Sequence, residues 1–207
     1  LVGECGHATR SAWYMATFAG PTAPPVVHCM QYAYQALVAG KLPLRDERIE
    51  ERVTYHDPCN IARSGRITEE PRELLKAICT NFVEMTPNRT ENYCCGGGGG
   101  LVSIDEIRQF RTGLMGKRKA DQIRDTGAKY VVSPCANCKK QLKEVCEDHD
   151  LEDVEVVGLH DLLLKVIDFG TSPDDKDTPP IGDEENAPEN EDAAAEDAAP
   201  TASDPQA

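Results

Sequence analysis

The sequence predicts an α/β fold, a parallel sheet with helices on its faces. Three observations predict it. Strand-like and helix-like pieces alternate from Arg52 to Ile167; cysteines fall where strands end or loops turn; and a helix–strand–helix pattern that starts at a cysteine occurs twice. Alternation of this kind makes each strand return to one sheet through a helical crossover.

The elements follow in order. From Ser11 to Gly40 no Asp, Glu, Lys or Arg occurs. Pro21, Pro24 and Pro25 break that stretch, and His28, Gln31 and Gln35 interrupt its second half, so no apolar run of about 20 residues remains to span a membrane. A segment packed against another domain or subunit explains the missing charge. Arg52–Tyr55 reads as a strand and Thr68–Cys79 as a helix, with Thr68 as its cap, Pro71 in the first turn, and Leu74, Leu75, Ile78 and Cys79 on one face. Phe82–Met85 reads as a strand and Pro87 to Gly100 as a loop. Ile104, Ile107, Phe110, Leu114 and Ile123 give a helical stripe with irregularities at Gly113 and Gly116. Tyr130–Val132 is a strand, Asn137–Asp148 a helix, Val154–Val157 a strand and Asp161–Ile167 a closing helix.

The repeat sets the domain boundaries. Cys138 begins a helix, and 22 residues later His160 follows an apolar strand and precedes a Leu-rich helix. Cys5 begins a helix, and 23 residues later His28 follows Val26-Val27 and precedes Met30–Val38. In that alignment Val2 takes the place of Cys135. Residues 1–50 then read as the last part of a truncated first copy, 51–170 as a complete copy and 171–207 as a tail.

Charge separates the tail from the body. Residues 172–207 hold twelve Asp or Glu and one Lys, which is −11 of the net −14 for the 207-residue chain. With no aromatic residue and many prolines, this tail is expected to be disordered. From Arg108 to Lys143, by contrast, ten Lys or Arg face only Asp121 and Asp125. Solvated helix faces explain most of that bias; positive charge beside an anionic cofactor, docking an acidic partner, is the functional alternative. Nucleic acid is a poor partner here, for the stretch has few aromatics to stack on bases. The chain opens on Leu1, which suggests a fragment or processed form, and it shows no secretory leader. Nine cysteines, an odd number and too few for a disulfide scaffold, fit metal-bound thiols in the reducing cytoplasm.

Five of them carry the chemistry: Cys59, the tandem Cys94-Cys95, and Cys135 with Cys138. Thiolates are soft ligands that select iron–sulfur clusters, zinc or copper(I), and a pair two residues apart is a common half-site. Five is one more than tetrahedral zinc needs. Adjacent side chains usually diverge, so aiming Cys94 and Cys95 at one centre needs an unusual backbone, which Gly96–Gly100 supply through positive φ and free N–H groups. Near the start of its helix, Cys138 is placed to be favoured as a thiolate by the helix dipole. Cys79, Cys146 and Cys29 read as small core residues, and Cys5 and His7 as a local structural pair or a ligand and proton-donor remnant. His56 and Arg63 flank Cys59, as structural hydrogen-bonders or in protonation and cluster electrostatics.

Tyr55-His56-Asp57-Pro58-Cys59, Cys94-Cys95-Gly96-Gly97 and Ser133-Pro134-Cys135-Ala136-Asn137-Cys138 resemble the cysteine-rich CCG domain found in the B-type and D-type components of heterodisulfide reductase. The same domain occurs in iron–sulfur subunits of glycolate, lactate and anaerobic glycerol-3-phosphate oxidation and in some succinate–quinone reductases. Together with Glu4-Cys5-Gly6-His7-Ala8, the chain is most similar to D-type reductases, including the K-type components of the membrane complex associated with dissimilatory sulfite reduction. The resemblance covers about residues 1–168 and leaves the acidic tail without a counterpart.

This resemblance implies Rossmann-like CCG domains and a noncubane [4Fe-4S] cluster on Cys59, Cys94, Cys95, Cys135 and Cys138, with Gly96, Gly97 and Arg63 around it and His56 and His7 as proton donors. It implies an oxidoreductase that reduces a disulfide or trisulfide, carried by a coenzyme or small protein, with electrons from quinol or a ferredoxin-type partner. Its partners would be a membrane haem b or quinone-reactive subunit and other iron–sulfur subunits, placing it peripherally on the inner face of the cell membrane. Two departures stand against the family pattern: 39 residues separate Cys95 from Cys135, which is long, and no ferredoxin-like Cys-x-x-Cys-x-x-Cys segment lies upstream. The rival readings are a non-catalytic electron-transfer subunit of a quinone-linked dehydrogenase and a structural zinc module.

Overall fold

Short β-branched runs supply the strands, and each is followed by a segment whose apolar residues recur at helical spacing. The structure, a computed structural model, describes residues 1–170; the acidic tail expected to be disordered lies outside the described residues. The chain runs β1 (Val2–Gly3), α1 (Gly6–Ala19), β2 (Val27–His28), α2 (Cys29–Val38), β3 (Val53–Tyr55), α3 (Glu69–Ile78), β4 (Phe82–Glu84), α4 (Lys117–Thr126), β5 (Tyr130–Val132), α5 (Ala136–Asp148), β6 (Glu155–Val157) and α6 (Leu159–Val166). Between β4 and α4 lie three short 3-10 turns and a π-helical stretch, Gln109–Leu114.

A four-stranded parallel sheet has the order β4-β3-β5-β6, and β1 pairs with β2 in a separate parallel ribbon. The α/β expectation is met. In the larger sheet β3 is followed by β4 on one side, and the chain then crosses back to place β5 on the other. That reversal opens a crevice outside the carboxyl ends of β3 and β5, where ligands collect in open α/β sheets. Cys59 and Cys135 follow these two strands.

The strand period of two divides the core. Val53, Tyr55, Val132 and Val157 face one cluster, filled by Leu74, Leu75 and Ile78 of α3 and Leu162, Leu163 and Val166 of α6, with Met30 of α2. Val131 and Val156 face the other, with Met85, Ile123, Leu142, Cys146 and the candidate ligands Cys95 and Cys138. One face of the sheet thus carries ordinary packing, and the other packs directly onto the thiol site.

Local differences from the sequence reading have identifiable causes. Thr68 occupies the cap position of α3, but its side chain makes no capping bond; Arg72 Nη1 instead donates to its carbonyl at 2.7 Å. The stripe from Ile104 to Ile123 is not one helix. A Cβ on Gly116 would collide with the carbonyl oxygen of Thr112 and sit 2.9 Å from Val145, so the chain approaches itself there and becomes π-helical before α4. The uncharged N-terminal stretch leaves Tyr14, Met15 and Phe18 of α1 exposed. Among the described residues no helix is long and apolar enough to cross a membrane.

Two strand pairs share a spacing: Val2 pairs with Val27 and Val132 with Val157, each 130 residues further on, and Cys5 and Cys135 hold the N-cap positions of α1 and α5, with a side-chain capping bond made by Cys5 and none by Cys135. On that spacing Cys5, rather than Val2, falls opposite Cys135, and Ala8 falls opposite Cys138.

Candidate metal centre

Three stretches of backbone deliver the five thiols. After β3 the chain turns tightly, with Pro58 O accepting from the N–H groups of Ile61 and Ala62, and Cys59 O accepting from those of Arg63 and Ser64. The exposed Arg63 reaches across to the carbonyls of Thr90 and Asn92, at 2.9 and 2.6 Å, and so fastens the Cys59 turn to the segment that leads into Cys94. Asn92, buried, donates from Nδ2 to Asp57 O at 2.7 Å and closes the same junction from inside. Behind it Arg72 grips Asp57 with two bonds of 2.8 and 2.7 Å and holds Glu84 of β4 at 2.6 Å. This buried bidentate pairing locks the motif residue next to His56 in one position.

The glycines act as expected at two positions. Gly96 has φ +91° and donates its N–H to Cys94 Sγ at 3.4 Å, while the Gly97 N–H serves Cys95. A Cβ on Gly97 would lie 2.8 Å from Gln141 Cβ and 3.0 Å from Asn137 O, so only glycine lets the loop lie on α5. Cys135 then takes the N-cap position of α5, without a side-chain capping bond, and Cys138 sits in its first turn.

Cys95 Sγ lies 3.3 Å from Cys138 Sγ, and these two sulfurs share one ligand group with His56; Cys94 couples electrostatically with Cys59 and Cys95, and Cys135 with Cys138. Such a set of thiols shares protons unevenly. Hydrogen bonds from Cys59 and Cys95 pull Cys94 down to about 2, and the bond with Cys138, with help from backbone N–H groups of α5, brings Cys135 down to about 6. Cys59 is pushed up by its bond to Cys94 and by burial, and Cys138 by its bonds to Cys135 and Cys95. The bond with Cys138 lowers Cys95, but Cys94 and burial outweigh it and leave it at about 11. Of this pair Cys135 is the thiol held lower, chiefly by Cys138, whereas the sequence reading favoured a thiolate at Cys138.

His56 is 1% exposed and lies with Cys95 and Cys138 inside a 4.8 Å group of ligand atoms. Burial holds its imidazole neutral, well below its usual pKa, and the nearby Lys119 adds to this. Its Nδ1 faces Asn92 Nδ2 at 3.3 Å, and Nε2 has no partner among the described residues. His7 stands apart, exposed on the first turn of α1, where it lines an open groove of about 600 Å³ with Arg10 and Ser64. Cys79 and Cys146 are buried in the two core clusters, as expected, and burial pushes them up to about 12 and 11. Cys29 is half-buried and donates to Glu4 O at 3.4 Å.

The Cys95–Cys138 pair, three further thiols coupled to it, the Gly96 N–H on Cys94 and an unpartnered buried ring nitrogen fit an iron–sulfur centre, and five thiols exceed what tetrahedral zinc takes. Comparison with known proteins agrees. Residues 53–143 match the CCG cysteine-rich domain family. They are a CCG cysteine-rich domain. The chain is 30% identical over 158 residues to the Hdr-like menaquinol oxidoreductase iron-sulfur subunit of Archaeoglobus profundus, covering 72% of this chain and 28% of that protein. It is 38% identical over 117 residues to the B component of the fumarate reductase (CoM/CoB) of Methanothermobacter marburgensis (56% and 22% covered). It is 28% identical over 149 residues to the D component of the dihydromethanophenazine:CoB–CoM heterodisulfide reductase of Methanosarcina barkeri (71% and 35%). The match thus spans about a quarter to a third of these relatives' lengths. No solved structure matches the chain.

Asn92, Lys119 and the Asp57–Arg72 pair escaped the sequence reading. Asp57 stood inside a quoted motif, but nothing marked its partner; Lys119 stood in the cationic run Lys117-Arg118-Lys119, where only the fold distinguishes the buried member.

Proposed function

We propose that this chain is part of an iron–sulfur oxidoreductase subunit, similar to heterodisulfide reductase, in which Cys59, Cys94, Cys95, Cys135 and Cys138 hold a noncubane [4Fe-4S] cluster. The close approach of Cys95 to Cys138 beside the unpartnered His56 nitrogen, with Cys59, Cys94 and Cys135 electrostatically coupled to that pair, carries the reading. When bound, such a cluster supplies one-electron reducing equivalents to a sulfur substrate. The chain's own residues bind it through thiolates, shield Cys95 and Cys138 from water, and leave Cys94 exposed and Cys59 and Cys135 half-exposed at the crevice mouth. That one-sided exposure favours a site that admits a disulfide or trisulfide over a buried electron relay. His56, neutral and with one free nitrogen, is placed to hold a proton beside Cys95 and Cys138, while His7 can receive one from solvent at the groove. Residues 1–50 would be the end of a preceding CCG copy, supported by the repeated strand register. Electrons would come from a membrane quinone-reactive or haem b protein or from another iron–sulfur subunit, with the protein peripheral on the inner membrane face.

Anaerobic purification followed by iron, labile sulfide and zinc analysis tests the reading. Iron and sulfide near four per chain are expected for such a cluster; zinc without sulfide would overturn it. Cys94→Ala and Cys135→Ala should abolish or convert the paramagnetic resonance signal, whereas Cys79→Ala and Cys146→Ala should leave it. Equal loss from all four would overturn the ligand assignment.

A further inference from the structure

A buried ammonium needs a negative charge, and among the described residues no carboxylate pairs with Lys119 at contact distance. On α4 it is 1% exposed, and its Nζ donates to Asn92 Oδ1 at 2.9 Å and to Gln122 Oε1 at 2.5 Å, both neutral amides. Among the described residues it makes no ion pair with a carboxylate, whereas the other two buried cations do: Arg72 pairs with Asp57 and Glu84, and Arg111 with Glu144. Burial brings the Lys119 amine down to about 8, and the groups that resist this are, in order, Cys95, Asp57, Cys94 and Cys138. Three of these four are candidate ligands. Asn92 fixes the arrangement, since the same side chain takes the Lys119 bond, holds Asp57 O at 2.7 Å and faces His56 at 3.3 Å.

We infer that Lys119 is the buried counter-charge of the thiolate centre, a positioning residue that favours the electron-rich state of whatever Cys94, Cys95 and Cys138 hold. The reason is electrostatic. A fixed positive charge in a low-dielectric wall stabilises added negative charge nearby, and interior location keeps water and salt from screening it. Side-chain chemistry agrees: Gln122 Nε2 is spent on Pro87 O at 2.7 Å, so both amides present their oxygens to the ammonium and neither can replace its charge.

The inference rests on the iron–sulfur reading, and one experiment separates the two. The full chain is reconstituted anaerobically as wild type, Lys119→Met, Lys119→Arg and Lys117→Met, the last an exposed neighbour paired with Asp121. Iron content is measured and the midpoint potential read by resonance-monitored titration. Lys119→Met is expected to shift the midpoint to lower potential at unchanged iron content, with Lys119→Arg and Lys117→Met staying near wild type. An unchanged midpoint in an iron-replete Lys119→Met protein overturns the inference and leaves the iron–sulfur reading standing. A wild type that takes up no iron overturns that reading, and the inference with it. Should Lys119→Met lose iron while remaining folded, recovery in Lys119→Arg supports the counter-charge role, and equal loss in both overturns it. Lys119→Gln gives the same readings if methionine is not accommodated.

Discussion

Cys135 and Cys94 differ from Cys29, Cys59, Cys79, Cys95, Cys138 and Cys146 in being lowered rather than raised, one chiefly by Cys138 with help from backbone N–H groups, the other by two thiol neighbours. The thiolate is the nucleophile, so in metal-free protein alkylation at Cys135 should rise as pH climbs through about 6 and level off above about 8. The sign follows from the depressed pKa: the anion persists above it and is lost below. Cys146, raised to about 11 by burial, should stay unlabelled at neutral pH. Peptide mass spectrometry after iodoacetamide treatment checks both. At this scale the five thiols were legible in the sequence because soft ligands and adjacent glycines leave a pattern in the text. Lys119 was not, because a lysine in a charged run is nearly always solvated and only packing of α4 against the loop at Asn92 reverses that.

Elements show the same division. Helices α3, α5 and α6 and strands β3 to β6 lie within a residue or two of their sequence readings, since apolar periodicity fixes which face is buried. The span between β4 and α4 was less legible: Gly116 permits a backbone approach whose partner, Thr112, only the folded chain reveals. The glycine run is not uniform either. Gly97→Ala should cost about 1–3 kcal/mol through the clash with Gln141 and Asn137 and reduce iron retention. Gly98→Ala, with nothing within 4 Å of its Cβ, should stay within about 0.5 kcal/mol of wild type. Thermal melts paired with iron analysis read both values, and equal effects would remove the close-packing role assigned to Gly97.

For the whole molecule, the sequence suggested a duplicated pattern with Val2 opposite Cys135, a register that the strand pairs do not share, because a His 22 or 23 residues after a Cys is weaker evidence than paired strands. The pairs Val2 with Val27 and Val132 with Val157 share one spacing, which puts Cys5 opposite Cys135. A centre bound only by the folded state adds stability by mass action, about 2.7 kcal/mol at a hundredfold excess over the dissociation constant. At roughly 2–4 °C per kcal/mol for a domain of this size, chelation should lower the melting temperature by about 5–10 °C; no shift would mean that the thiols hold nothing that matters to folding. The two apolar clusters also stand back to back on one sheet, and only one of them contains Cys95 and Cys138. Ageing in air is therefore lopsided. With those sulfurs 3.3 Å apart, oxygen can stitch them into a bridge once metal is gone, disturbing the packing beneath Val131 and Val156 while the layer under α3 and α6 keeps its protected amides. A preparation spoiled this way would still look folded by its helices, yet exchange hydrogen quickly on one side alone.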